Sequence, residues 1–255
     1  MAESRELRAE SLVLSYKVIR IHRQFDPANI RLVIFDLDGT LIDSRLDLVH
    51  SVNATLRHIG RPELSEELIA SYVGDGAPTL IRRILGPDAG NEDLVRTGLE
   101  YFLTYYREHK LDYTRPYEGV MEALTAIRGS SNGSPRKLAV LSNKPVNPSR
   151  AIVEALGLGE FFAVVYGGNS FTTKKPDPEG ALTIVRETGC ACAEGLLVGD
   201  SGVDVATGRN AGMWTCGVTY GFAPHTLEAA PPDVVIDRPA ELTELFSGVR
   251  NKLEA

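Results

Sequence analysis

From Arg31 onward, short apolar runs alternate with amphipathic stretches. Six of the runs are rich in β-branched residues and bounded by Gly, Asn, Asp or Pro, as buried strands are. They are LVIF (32–35), KLAVLS (137–142), FAVVYG (162–167), GLLVG (195–199), TCGVTY (215–220) and DVVID (233–237). The alternation predicts an α/β fold, in which helices cover both faces of a Rossmann-like parallel sheet.

The segment 36–136 contains no comparable run, and its apolar spacing is helical. One face of a first predicted helix carries Val49, Val52, Leu56 and Ile59, and one face of a second, over 92–109, carries Val95, Leu99, Phe102 and Tyr106. Ser44 with Asp47 resembles a capping box at the start of the first helix, and Gly60 predicts its end. Asn147 before Pro148 and Asp177 before Pro178 predict two later helix starts.

These patterns divide the chain into three parts. We predict a small helical cap domain, 46–113, inserted into an α/β core made of 31–45 and 114–255, with turn-forming residues at 115–119 marking the return to the core. Residues 1–30 lack the charged-then-apolar layout of a secretory signal. They are an N-terminal extension to which the sequence assigns no role.

Charge and composition narrow the range of partners. The net charge of -7 argues against general binding to nucleic acid or to anionic membrane surfaces, and no apolar run is long enough to span a bilayer. Three cysteines, Cys190, Cys192 and Cys216, suggest no disulfide framework and fit a reducing compartment. We expect a cytoplasmic protein that acts on small molecules, with its oligomeric state left open.

Polar side chains collect where the predicted strands end, and in α/β sheets this rim binds ligands. The strand ends and the loop after the third strand carry Asp36, Asp38, Ser142, Asn143, Lys144, Lys174, Lys175, Asp200, Ser201 and Asp204. Carboxylates that converge in this way need a cation, and oxygen ligands favour Mg²⁺ shared with a phosphate oxygen. Lysine and hydroxyl donors suit the remaining phosphate oxygens, so the rim predicts a phosphoryl-transfer site.

Four segments at these positions resemble the signatures of one family. They are DLDGTLIDS at 36–44, LSNK at 141–144, KKPDP at 174–178 and VGDSGVD at 198–204. In order and strand placement they resemble the haloacid dehalogenase-like hydrolases, and specifically their phosphoglycolate phosphatase-like branch. The resemblance covers residue 31 to about residue 240.

The resemblance implies a role for each matching residue. Asp36 would attack phosphorus and form an aspartyl phosphate, and Asp38 would serve as acid and then as base. Mg²⁺ would be held by the carboxylate of Asp36, the backbone carbonyl of Asp38 and Asp200. Ser142 and Lys175 would bind the phosphoryl oxygens, Gly39, Thr40 and Asn143 would contact substrate, Ser201 would support the site, and Asp204 would orient Lys175 or a metal-bound water.

Elementary geometry supports part of this assignment. Side chains at i and i+2 of an extended segment point the same way, so Asp36 and Asp38 can address one phosphoryl group. Lys175 is preferred over Lys174 because a residue before proline is held extended. Lys144 is either solvated or close enough to touch a ligand, and the tyrosines at 101, 105, 106 and 113 are read as packing residues.

The best single guess for the substrate is 2-phosphoglycolate. The segments 43–56 and 72–83 resemble the cap segments of phosphoglycolate phosphatases. A small acidic substrate needs a cation from the cap, and Arg82 or Arg83 could pair with its carboxylate.

Two other functions stay open. A sugar phosphomutase of the β-phosphoglucomutase kind would be built on the same core and would return the phosphoryl group to the sugar. A non-enzymatic switch would hold a long-lived aspartyl phosphate, as receiver domains do. Asp38 argues against the switch, because an acid beside the nucleophile should make hydrolysis fast.

Overall fold

The computed structural model describes residues 19–24, 26–131 and 134–247. Residues 1–18, which make up most of the predicted N-terminal extension, lie outside this range. Residues 20–21 form a short strand at one edge of the main sheet. The described part of residues 1–30 therefore contributes an edge strand to the main sheet.

A seven-stranded sheet forms the centre of the molecule. The eleven strands of the described ranges, seven of which form this sheet, are β1 (Arg20–Ile21), β2 (Leu32–Phe35), β3 (Ile42–Asp43), β4 (Arg115–Pro116), β5 (Ser130–Ser131), β6 (Ser134–Pro135), β7 (Lys137–Leu141), β8 (Val164–Tyr166), β9 (Gly195–Gly199), β10 (Trp214–Val218) and β11 (Val234–Ile236). The sheet order is β1-β11-β10-β9-β2-β7-β8, and every pairing is parallel except that of β1 with β11. β3 pairs with β4, and β5 with β6, as separate antiparallel ribbons.

The helices of the described ranges are α1 (Arg45–His58), α2 (Glu66–Ser71), α3 (Ala77–Leu85), α4 (Glu92–His109), α5 (Val120–Arg128), α6 (Val146–Ala155), α7 (Glu179–Thr188), α8 (Gly202–Asn210) and α9 (Ala240–Phe246). Helices α5 to α9 cover the two faces of the main sheet. Successive residues of β2 point to opposite faces: Val33 and Phe35 join the larger apolar cluster, which includes α5, α6 and α9. Leu32 and Ile34 join a smaller one that includes α7.

The predicted α/β class is confirmed, and all six predicted strands exist with ends shifted by at most a few residues. The strands were readable because both faces of a parallel sheet are buried, so each strand is a nearly continuous apolar run. No helix within the described ranges is long and apolar enough to cross a membrane. All three cysteines are free.

Helices α1 to α4 form an insertion between β3 and β4, which pair at its base. The predicted capping box at its start is wrong. Ser44 precedes α1, but its hydroxyl donates to Asp38 instead of capping the helix.

The buried Asp47 carboxylate accepts hydrogen bonds from the backbone N–H groups of Tyr113 and Thr114, at 2.9–3.2 Å, and from the Thr114 hydroxyl at 2.7 Å. Asp47 therefore joins the two ends of the insertion, while the domain division at 46 and 113 stays a prediction.

The two later helix starts also differ from the prediction. α6 begins at Val146 with Pro145 as its N-cap, so Asn147 lies inside the first turn. α7 begins at Glu179, one residue later than predicted, and Asp177 accepts a hydrogen bond from the backbone N–H of Glu179. In both cases the sequence identified the segment in which the helix begins, but not the residue at which it begins.

Candidate active site

Three central strands bring the predicted polar residues to one rim. Asp36 follows β2, Ser142 follows β7 and Asp200 follows β9, and these strands are neighbours in the sheet. The backbone N–H of Asp36 donates to Val198 at 2.9 Å, so the register of β2 against β9 fixes its position. The structure thus places Asp36, Ser142 and Asp200 at the ends of three adjacent strands, on one rim of the sheet.

A buried carboxylate cluster lies at this rim. Asp36, Asp200 and Asp204 are 8%, 4% and 1% exposed, and one oxygen of each lies within 4.8 Å of the others. Burial raises the pKa of Asp36 to about 6, against the effect of Lys175. Burial, together with the charges of Asp204 and Asp36, raises the pKa of Asp200 to about 7. Without a cation, these two carboxyl groups are therefore harder to ionise near neutral pH than ordinary aspartates.

Lys175 supplies part of the missing positive charge. Its Nζ lies 2.9 Å from Asp36 Oδ1 and 2.6 Å from Asp204 Oδ1, and although burial lowers its pKa, these two carboxylates raise it overall. Lys174 instead donates to the backbone carbonyl of Asp75. The structure thus brings Lys175, the residue preferred from sequence, to the carboxylate cluster.

Asp204 is held by the first turn of α8. Ser201 caps this helix, and Asp204 Oδ2 accepts from both the Ser201 backbone N–H, at 3.2 Å, and the Ser201 hydroxyl, at 2.6 Å. A Cβ on Gly199 would come within 2.2 Å of the Asp204 carboxyl carbon, so glycine is required there. Both oxygens of Asp204 are therefore engaged by protein groups.

Asp38 lies beside the cluster but has different partners. Its Oδ1 accepts from the Ser44 hydroxyl at 2.5 Å, and Lys144 Nζ lies 2.9 Å from both of its oxygens. Burial lowers the pKa of Lys144, but Asp38 raises it above its usual range overall. Lys144 is thus a buried partner of Asp38, and the alternative that it is solvated is wrong.

The turn after Asp38 packs against Asp200. Gly39 has a φ of +81°, and a Cβ there would lie 2.4 Å from Asp200 Oδ2. That oxygen accepts from the backbone N–H groups of Phe222, at 2.6 Å, and Ala223, at 3.1 Å. Glycine at position 39 therefore leaves room for the Asp200 carboxylate.

A cavity of about 720 Å³, counted with its open mouth, lies over the rim. Its polar lining includes Asp36, Asp38, Ser142, Asn143, Lys144 and Asp200, and its lining from the helical insertion includes Leu48, Ala77, Leu80, Phe102 and Tyr106. A small ligand with one charged end would therefore meet the strand ends with that end and the insertion with the other.

Four predicted substrate contacts are not brought to this cavity. Gly39 and Thr40 belong to the turn beside it and are absent from its lining. Arg82 forms an ion pair with Glu92 at 2.8 Å, and Arg83 forms one with Asp75. Neither arginine lines the cavity, because acidic partners on the insertion itself hold both guanidinium groups.

Asn143 does line the cavity, but its amide also holds the structure together. Its Nδ2 donates to the Gly74 carbonyl at 3.0 Å and to the Lys175 carbonyl at 3.1 Å. Its Oδ1 is buried and has no hydrogen-bond partner in the part of the chain that the structure describes. Asn143 thus connects the insertion to the lysine loop and keeps one free acceptor.

Sequence reasoning missed Tyr106 as a functional candidate. It lies on the apolar stripe of α4, and that stripe favoured a packing role. It is indeed buried, but it also lines the cavity, and its ring centroid lies 4.5 Å from Lys144 Nζ. Burial raises its pKa to about 12. No sequence signal distinguishes a tyrosine on the apolar face of a helix that lines a cavity from one that packs in the core.

Comparison with known proteins agrees with this fold and site. A family model described as "Haloacid dehalogenase-like hydrolase" matches residues 33–218. A phosphoglycolate phosphatase from Neisseria meningitidis is 35% identical over 233 residues, covering 89% of this chain and 97% of that protein. One from Aquifex aeolicus is 34% identical, covering 85% and 96%. The crystal structure of a predicted phosphoglycolate phosphatase from Haemophilus somnus superposes with a TM-score of 0.78 at 31% identity, covering 85% and 98%.

A parallel sheet with a helical insertion and an acidic rim defines an α/β enzyme class whose chemistry takes place at the strand ends. The match over most of the chain then identifies it: the protein belongs to the haloacid dehalogenase-like hydrolase family.

Proposed function

We propose that the protein is a Mg²⁺-dependent phosphatase that hydrolyses a small phosphate monoester through an aspartyl phosphate. The observation that carries this proposal is the position of Asp36, which lies between two buried carboxylates and Lys175 at the polar end of the cavity. An oxyanion nucleophile in such a site can approach phosphorus only if cations offset the surrounding charge.

Each residue has a defined part in the proposed reaction. The Asp36 carboxylate attacks phosphorus, and the alcohol leaves with a proton from Asp38. Asp38 then takes a proton from the water that attacks the aspartyl phosphate, which releases phosphate and restores Asp36. Ser142 and Lys175 donate to the phosphoryl oxygens throughout.

The residues at the rim fit Mg²⁺. The carboxylates of Asp36 and Asp200 lie close enough to share an ion, the backbone carbonyl of Asp38 would complete a hard oxygen donor set, and Gly39 leaves room beside Asp200. When bound, the ion neutralises charge on the phosphoryl group and on the two carboxylates. Asp204 is assigned to positioning Lys175, because its two oxygens are already engaged by Lys175 and Ser201.

For the substrate we propose 2-phosphoglycolate. The relatives at 34–35% identity that cover most of the chain carry the name phosphoglycolate phosphatase. The cavity, with polar groups at the strand ends and apolar groups from the insertion, also suits a small molecule with one charged end.

The test is phosphate release from a panel of 2-phosphoglycolate, hexose phosphates, nucleoside monophosphates, pyrophosphate and phosphoserine, with Mg²⁺ or EDTA. We expect 2-phosphoglycolate to give the highest kcat/KM, and EDTA or Asp36→Asn to abolish turnover. Asp93→Asn is the matched control, because Asp93 is exposed on α4 and pairs with Arg96.

Other outcomes separate the alternatives. A different best ester would leave the chemistry standing and refute the substrate. Conversion of glucose 1-phosphate to glucose 6-phosphate without net phosphate release would identify a phosphomutase. A stable aspartyl phosphate without turnover would identify a switch.

A further inference from the structure

The cavity wall contains a lysine and a tyrosine that the proposed reaction does not use. Lys144 follows the serine at the end of β7, and Tyr106 comes from α4 of the insertion. Both line the cavity and are 8% and 4% exposed, and the ammonium lies 4.5 Å from the centre of the tyrosine ring. The core and the insertion thus each place one polar group at the same point.

Lys144 has donor capacity to spare. An ammonium carries three N–H donors. Two of them are used by the oxygens of Asp38, each at 2.9 Å, and the ammonium also interacts with the side chain of Tyr106. The donor on the Tyr106 side is the one that a ligand in the cavity can take.

Tyr106 has an unused hydroxyl. Its Oη is buried and interacts with the Lys144 ammonium, but it forms no hydrogen bond of good geometry among the residues that the structure describes. A buried hydroxyl without a partner is costly, and a ligand oxygen in the cavity would remove that cost. The hydroxyl can donate one hydrogen bond without any other contact being broken.

Four other cations near the rim already have protein partners. Lys175 lies between Asp36 and Asp204, and Lys174 donates to a backbone carbonyl. Arg82 and Arg83 pair with acids of the insertion, outside the cavity. Among the described residues that line the cavity, Lys144 is the one cationic side chain.

We propose that Lys144 and Tyr106 form the subsite for the carboxylate of the substrate. This inference rests on the proposed function and names the groups that would select an acidic ester. Lys144 contacts Asp38, the proposed acid for the bridging oxygen, and in 2-phosphoglycolate one CH₂ group separates the carboxylate from that oxygen. A carboxylate bound by both residues also ties the insertion to the core while the substrate is present.

The experiment compares two esters that differ at the carboxylate. The counterpart of 2-phosphoglycolate without the carboxylate charge is 2-hydroxyethyl phosphate, in which a CH₂OH group replaces the carboxylate. We expect the ratio of kcat/KM for the two esters to fall at least about tenfold in Lys144→Gln and in Tyr106→Phe, because each loses a hydrogen bond to an anion. Taking the ratio removes any effect of Lys144→Gln on Asp38, since both esters need the same acid.

Matched controls are Lys110→Gln and Tyr105→Phe, in which the altered side chains lie on or beside α4 and outside the cavity lining. We expect both to keep the wild-type ratio. Tyr106→Phe removes an oxygen with no hydrogen-bond partner in the described ranges, so it should fold even if Lys144→Gln does not.

The outcomes distinguish this inference from the function on which it rests. A wild-type protein that prefers 2-hydroxyethyl phosphate overturns both the subsite and 2-phosphoglycolate as the substrate, and leaves the phosphatase chemistry standing. A wild-type preference for 2-phosphoglycolate with equal losses on both esters in Lys144→Gln and Tyr106→Phe overturns the subsite and leaves the function intact. A selective loss in only one of these two variants removes the other residue from the subsite.

Discussion

Two lysines that are adjacent in sequence, Lys174 and Lys175, have opposite surroundings at this rim. Lys175 is buried between two carboxylates, whereas Lys174 is exposed and donates to a loop carbonyl. A buried ammonium that touches both the nucleophile and Asp204 can neutralise phosphoryl oxygens as charge builds up there. The exposed ammonium has no such position.

Replacing each lysine by methionine tests this difference. We expect Lys175→Met to lower kcat about 10²–10³-fold, the usual loss when one donor to a developing oxyanion is removed. Lys174→Met should keep most of its kcat. Steady-state phosphate release is the measurement, with circular dichroism to confirm folding. A larger loss in Lys174→Met than in Lys175→Met would reverse the assignment.

At the scale of elements, the helical insertion depends on the contacts at its two ends. β3 pairs with β4 there, and the Asp47 carboxylate binds the backbone of Tyr113 and Thr114. The Asp47 carboxylate is fully buried. A hydrogen bond from a backbone N–H group to a charged acceptor stabilises the fold more than one to a neutral acceptor. Asp47 thus fixes where α1 and the chain leaving α4 meet.

Asp47→Asn should weaken this junction. The amide keeps one acceptor oxygen but turns an NH₂ group toward backbone donors, so we expect the free energy of unfolding to fall by about 2 kcal/mol or more. Urea unfolding followed by circular dichroism measures the change. Asp93→Asn, on the exposed face of α4, should stay within about 0.5 kcal/mol of the wild type. Equal effects of the two substitutions would mean that Asp47 does not stabilise the junction.

The strands and the main helices could be predicted from sequence because their patterns reflect burial. The helix starts were less predictable, because a serine before a helix has other possible partners: Ser44 donates to Asp38, six residues earlier in the chain. The same holds for the site. Rim residues followed from strand ends, whereas Arg82 and Arg83 were misplaced because their pairing with Glu92 and Asp75 is tertiary information.

At the scale of the whole molecule, the acidic rim links folding to protonation and to Mg²⁺. The unfolded-state pKa of an aspartate is near 3.8, and in the folded protein the values are about 6 for Asp36 and about 7 for Asp200. Because both values are raised, these groups stabilise the fold fully below pH 3.8. That stabilisation is lost as the pH rises through about 6 and about 7. Bound Mg²⁺ requires the ionised carboxylates, so its stabilising effect should grow over the same range.

Thermal unfolding at pH 5 and pH 8, with Mg²⁺ or EDTA, tests this linkage. At pH 8 and a hundredfold excess of Mg²⁺ over its Kd, we expect a gain of about 2.7 kcal/mol, which raises the Tm by roughly 5–10 °C for a chain of this size. At pH 5 the gain should be much smaller. Asp200→Asn should lose the gain at pH 8, yet be more stable than the wild type in EDTA, because one buried charge is gone. The same Mg²⁺ effect at both pH values, or its survival in Asp200→Asn, would show that the ion binds elsewhere.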